Sequence, residues 1–181
     1  IYIVDTGIDV LHPEFSEGIY GSRASLEFDG FYEVNTDDQD HGTGMMSAGA
    51  GRTMGFATNA RIFAFKGLDG NNDGSNTALV DALNAMVVFH NNRSDPTRPA
   101  VNSNSWGGGI VGTITVAFGS VADAGIFAVA SAGNTNNGGP HWPASYTTVL
   151  SVQAMNLGDN RSGFATFNTD TDVGTPGREI V

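Results

Sequence analysis

Apolar positions along this chain follow two rhythms. Short apolar-rich runs occur at IYIV (1–4), IFAFK (62–66), AVNSNS (100–105), GIFAVAS (125–131) and VLSVQA (149–154). Between them lie longer stretches in which apolar residues return every three or four positions. The short runs predict strands. Several are apolar on both faces, as expected of a parallel sheet covered by helices. In SNTALVDALNAMVVFHNN (75–92), Ala78, Leu79, Ala82, Leu83, Met86 and Phe89 share one helical stripe, and Ser75 or Asn76 can cap the first turn. A second helix is expected over roughly 112–124, ended by Gly125, and another in GTGMMSAGA just after His41. This alternation predicts an α/β domain: a doubly wound, mostly parallel sheet with helices on both faces. Right-handed crossovers then gather the C-terminal ends of the strands, and whatever follows them, on one edge. No repeat, low-complexity tract or linker interrupts the pattern, so 1–181 reads as a single domain.

Composition narrows the partners more than the fold. The net charge is −11 and Lys66 is the only lysine. Such a surface repels polyanions, which argues against nucleic acid and anionic membranes as partners. Cysteine is absent, which removes disulfides and thiolate chemistry. No apolar run approaches the ~20 residues of a membrane-spanning helix. The chain starts IYIVDTG, without Met and in mid-strand, so a missing signal peptide carries no weight and a cut N-terminus is expected.

Three residues stand where a doubly wound sheet collects its chemistry. Asp5 closes the first strand, His41 opens a helix in DHGTG (40–44), and Asn134 follows the strand ending in SAGN (131–134). Alone, each has an ordinary reading: a turn aspartate, a surface histidine, a loop asparagine. Together they supply a carboxylate to orient an imidazole, an imidazole to take a proton, and a donor for a developing oxyanion.

The segments IYIVDTGID…HPEF, DHGTG, GFA (55–57), NSWGGG (104–109), ASAGN (130–134), WPAS (142–145) and RSGFATF…DVGTPG (161–177) resemble, in order and at compatible spacing, the catalytic domain of subtilisin-type serine proteases. The similarity is to their proteinase K-like branch and covers nearly the whole chain. It implies Asp5 as orienting carboxylate, His41 as general base and Asn134 as side-chain oxyanion donor, in the order Asp, His, then Ser known for subtilisin. It also implies that Ser105, Trp106 and Gly107 pair with an extended peptide or protein substrate. Ala130, Ser131, Ala132 and Gly133 would wall the pocket for the residue before the scissile bond. Trp106 stands where leucine is common and should narrow or flatten a neighbouring subsite. Trp142–Pro143 matches a bond that is cis in relatives. Where relatives read HGTH and then small residues, this chain has Gly44, Met45, Met46 and Ser47.

The nucleophile expected from this resemblance sits in a GTSMA-type segment, whereas the chain reads VGTPGREIV at its end. Ser105 and Ser131 match structural positions, and Ser47 is expected on the buried face of the His41 helix. The chain is therefore expected to be a partial peptidase domain, incomplete at both ends and marginally stable alone. It should be nearly inactive without a C-terminal fragment carrying the serine. The alternative is a pseudoprotease or binding fragment that keeps only the peptide groove.

Three other stretches resemble binding motifs only in part. GTGMMS (42–47) falls short of GxGxxG because it lacks the third glycine and a preceding strand. DGNNDG (69–74) begins like an EF-hand loop, but its twelfth position is Val80, so a surface turn near the substrate edge is expected. DDQD (37–40) reads as a solvated acidic loop with some capacity for a cation. No cofactor is expected for catalysis. The resemblance implies one structural Ca2+ site, formed by Asp172 with the carbonyls of Thr147 and Val149. It also implies an extracellular, secreted protein, expected as a monomer.

Overall fold

The computed structural model describes residues 1–32 and 36–178. Seven strands form one sheet: β1 (Tyr2–Asp5), β2 (Ala24–Asp29), β3 (Ile62–Lys66), β4 (Ala100–Asn104), β5 (Ile126–Ser131), β6 (Val149–Met155) and β7 (Val173–Pro176). Their spatial order is β2-β3-β1-β4-β5-β6-β7, and every pairing is parallel. Three helices accompany them: α1 (His41–Ala50), α2 (Asn76–Asn91) and α3 (Gly112–Asp123).

Alternation along β1 sends side chains into two cores. Tyr2 and Val4 join Phe65 beneath α2 and α3, with Leu83, Met86, Phe118 and Val121 fully buried among them. Ile3 points the other way, toward Met46 and Ala50 of α1, together with Ile8, Phe15, Ile62 and Ala64. Helices thus cover both faces. Each large apolar side chain sealed here contributes about 1.5–3 kcal/mol. Beyond β1, the face that carries α1 is open: Val101 on β4 is 38% exposed and its register partner Phe127 on β5 is 54% exposed.

The expected helix ends are found. Ser75 caps α2 by accepting the Ala78 N–H at 3.0 Å. Gly125, with φ of 74°, follows the end of α3. Two strands were not expected from the sequence. β2 reads ASLEFD, mixes polar and apolar residues, and shifts register between Leu26 and Phe28. β7 reads VGTP and is exposed along its whole length. Both are edge strands, paired on one side only, so neither needs a hydrophobic pattern.

This topology places the site. From β1 the chain steps out to β2, returns through β3, then crosses to β4 on the other side of β1. The crevice at the C-terminal ends of β1 and β4 is the switch point where open α/β sheets bind ligands.

Candidate active site

Asp5 ends β1 and is 1% exposed. Its Oδ1 lies 2.7 Å from His41 Nδ1 and accepts the Thr6 N–H, also at 2.7 Å. Its Oδ2 is buried and takes no donor from the described residues. A buried carboxylate facing Nδ1 favours the tautomer protonated there, which leaves the Nε2 lone pair free to receive a proton. The imidazole is 27% exposed, so that face is reachable.

The hydrogen bond to Asp5 raises the pKa of His41 above its ordinary 6.5, against the opposing effect of burial, with the charges of Asp5 and Asp37 adding to the rise. Because the folded value is the higher one, this pair stabilises the fold fully below about pH 6.5. That contribution fades as pH rises through the folded value, while the neutral base becomes available. An NMR titration of the His41 ring is expected to show the raised pKa, and Asp5→Asn is expected to lower it. Identical titrations would remove Asp5 as the cause.

The neighbouring strand supplies a groove. Val4 is in register with Asn104, so the segment beginning at Ser105 leaves the sheet beside Asp5. Gly108 and Trp142 exchange two backbone hydrogen bonds, at 2.9 and 3.2 Å, and so fix this segment against the loop after β5. The Trp142–Pro143 bond is cis, as the resemblance implied. Gly107 has no room for a side chain, because a Cβ there would lie 2.2 Å from His141 Nε2. Trp106 packs on Phe118 and, with Leu68, Gly74, Leu79, Ile114 and Tyr146, lines a cavity of about 460 Å3. The 69–74 turn is closed on Asp69, whose Oδ1 accepts the Asn71 and Asp73 N–H groups, and Asn72 to Gly74 border the same cavity. The surface-turn expectation therefore holds.

At the end of β5 and just beyond it, Ala130 and Ala132 are buried while Ser131 and Gly133 are half-buried. The Gly133 carbonyl accepts the Thr166 N–H at 2.8 Å, and the Thr135 N–H donates to Thr166 Oγ1 at 3.3 Å. Asn134, held between these anchors, is exposed, and its side chain makes no hydrogen bond to the described residues. Ser47 is buried in α1. No serine hydroxyl among the described residues bonds the His41 ring, whose partner is Asp5.

In the acidic run 37–40, Asp38 and Asp40 are exposed as expected, but Asp37 corrects the expectation. Asp37 is not solvated: it is 9% exposed and accepts from Thr6 Oγ1 at 2.8 Å and from Thr43 Oγ1 at 2.6 Å. Asp38 pairs with the fully buried Lys66 at 2.9 Å. Among the described residues no group of three or more His, Cys, Asp or Glu side chains could hold a metal ion. The only sequence signal for this burial was the position of Asp37, four residues before His41 at the start of a helix. The same geometry excludes the dinucleotide reading of 42–47. Gly42 and Gly44 lie inside α1, and a Cβ on Gly42 would meet the Gly7 carbonyl oxygen at 2.2 Å.

Comparison with known proteins gives a consistent result. The subtilase family profile matches residues 1–180. A subtilisin-like protease of Coccidioides posadasii is 35% identical over 181 residues, which is 99% of this chain and 44% of that protein. Proteinase R of Parengyodontium album and the cuticle-degrading protease of Metarhizium anisopliae are each 30% identical over 182 residues, covering 100% of this chain and 45% of theirs. The crystal structure of a cold adapted subtilisin-like serine proteinase superimposes with a TM-score of 0.87 at 25% identity, over 99% of this chain and 63% of that one. The chain thus spans less than half the length of these curated relatives.

Proposed function

Because the chain belongs to the subtilase family, we propose that it supplies the carboxylate, the base and the peptide groove of a serine endopeptidase. The observation that carries this reading is the 2.7 Å Asp5–His41 contact at the switch point of the sheet. Asp5 holds the imidazole in one tautomer and balances the imidazolium that forms. His41 takes the proton of a serine hydroxyl as it attacks the scissile carbonyl, then passes it to the leaving amine. Asn134, with its amide free at the same edge, donates to the oxyanion; one such donor is worth roughly 10²–10³ in kcat, a magnitude known from subtilisin itself. Ser105, Trp106 and Gly107 align the substrate strand by backbone pairing. Ala130, Ser131, Ala132 and Gly133 border the pocket for the residue before the cut.

We assign the serine to the parent protein beyond these 181 residues; the reading is supported by the absence, among the described residues, of a serine hydroxyl bonded to the His41 ring. Treating the full-length parent with a fluorophosphonate and then measuring intact mass tests this. A labelled protein, with the label mapped outside 1–181, is the expected result. An unlabelled parent that still binds peptides would replace the protease reading with that of a peptide-binding groove. The parent is taken to be an extracellular, monomeric protein acting on peptides or proteins. No helix among the described residues is long and apolar enough to cross a membrane.

A structural Ca2+ belongs to the same proposal. Asp172 Oδ2 accepts the Ser151 N–H at 2.8 Å and the Asp172 N–H donates back to the Ser151 carbonyl, which sets this carboxylate beside the start of β6. Val149 begins that strand, and the Thr147 carbonyl accepts none of the loop hydrogen bonds of the described residues. One carboxylate with two carbonyls is an oxygen-only set suited to Ca2+, which would stabilise the fold by binding it selectively. Excess chelator is expected to lower the Tm of the parent; an unchanged melting curve would remove the ion.

A further inference from the structure

The Asp5–His41 pair joins two elements, the end of β1 and the start of α1, and neither holds the other unaided. α1 begins without a cap of its own: Asp40 occupies the N-cap position at φ 69° and its side chain makes no capping bond. The free N–H groups of the first turn are met from elsewhere. His41 N–H donates to Gln39 Oε1 at 3.0 Å, Gly42 N–H to Thr6 Oγ1 at 3.0 Å and Thr43 N–H to Asp37 Oδ2 at 2.9 Å. Thr6 adjoins Asp5, so the helix is fastened to the residue that follows the carboxylate.

Asp37 is the hub of that fastening. Oδ1 accepts from Thr6 Oγ1 and from the N–H groups of Gln39 and Asp40, while Oδ2 accepts both the N–H and the hydroxyl of Thr43. Only an ionised carboxylate offers acceptors alone to so many donors. Burial opposes the charge, yet the hydrogen bonds from Thr43, Thr6 and Gln39 outweigh it and hold the pKa of Asp37 below the ordinary carboxylate value.

The next residue secures Thr6 from the other side. Asp38 Oδ1 pairs with Lys66 Nζ at 2.9 Å, and the same ammonium donates to the Thr6 carbonyl. Lys66 is in register with Asp5 on the adjacent strand. Thr6 is therefore gripped at its hydroxyl and at its carbonyl. Its N–H donates to Asp5 Oδ1, the oxygen that meets His41. Any shift of Thr6 moves that oxygen relative to the imidazole.

We propose that Asp37 and Asp38 are positioning residues for the reaction: acting through Thr6, Thr43 and Lys66, they set the alignment of Asp5 with His41. The inference rests on the protease reading for its consequence in turnover but not for the geometry. A misplacement of about 1 Å at such a pair costs roughly 10²-fold in rate.

The test uses the full-length parent and two readouts: the downfield proton resonance of the His41 Nδ1–H···Asp5 bond, and kcat and KM on a peptide substrate. Asp37→Asn, nearly isosteric, is expected to shift or broaden the resonance and to lower kcat about 10²-fold with KM within about twofold. Asp81→Asn, on the exposed side of α2, is the control and leaves both unchanged. A resonance and kcat at wild-type values in folded Asp37→Asn overturn the proposal. Should Asp37→Asn not fold, Thr6→Ser and Thr6→Val decide. The serine variant keeps the hydroxyl and is expected to hold the resonance nearer its wild-type position; equal resonances in both variants overturn the proposal. A parent that cuts no peptide, yet whose resonance responds to Asp37→Asn, sinks the protease reading and leaves the positioning role standing.

Discussion

Replacing His41 with alanine in the full-length parent is expected to lower kcat by about 10⁶-fold, or about 8 kcal/mol in barrier height, as loss of the base does in subtilisin itself. The fold should survive the change. The imidazole is partly exposed, and the first turn of α1 is held through backbone N–H groups by Gln39, Thr6 and Asp37 rather than by the ring. KM should move little, because the proposed groove is built from the segment that follows β4 and not from α1. Steady-state kinetics with a chromogenic peptide, beside circular dichroism of the variant, separates lost chemistry from lost structure. Hydrolysis within tenfold of wild type would rule out His41 as base.

Gly7→Ala is expected to destabilise the protein by about 2–6 kcal/mol, combining backbone strain and overpacking. Gly7 sits at φ 119°, and a Cβ there would fall 1.8 Å from the Thr36 carbonyl oxygen. That carbonyl also accepts the Ile8 N–H at 2.9 Å, so it cannot swing away without losing a bond. The obstructing atoms are backbone, and no rotamer change relieves them. Since a domain of ordinary stability has about 5–15 kcal/mol in total, the variant should unfold at a much lower urea concentration or fail to accumulate. Gly44→Ala is the contrast: Gly44 is exposed within α1, and a Cβ there meets nothing within 4 Å. It should stabilise by about 0.5–1 kcal/mol. Equal urea midpoints for the two variants would contradict the close approach at Gly7.

The central architecture was legible because its signals are local. β3 appears at the expected residues 62–66, and the stripe from Ala78 to Met86 is buried as the 3.6-residue period requires. Asp5 and His41 were legible through the order and spacing of whole motifs, and the structure brings them into contact. Trp106 was recognised as a departure from leucine, but its packing on Phe118 and its place in the groove wall needed the fold. β2 and β7 were missed because an edge strand is selected by its single neighbour and not by its own composition.

By itself the sequence determined the alternation of strands and helices, the doubly wound class, the family, and the carboxylate and imidazole that the fold brings into contact. Each of these follows from short-range periodicity or from motifs read in order. The tertiary structure alone decided that Asp37 is a buried clamp within the DDQD run, while Asp38 and Asp40 stay exposed. It also decided that the lone lysine is sealed against Thr6 and Asp38, and that Gly7 and Gly42 must lack side chains. Charged residues in a row look solvated to any hydropathy pattern. The burial of Asp37 is favourable only because Thr6 and Thr43, on other elements, arrive together to meet its lone pairs, and that of Lys66 because Asp38 meets its charge.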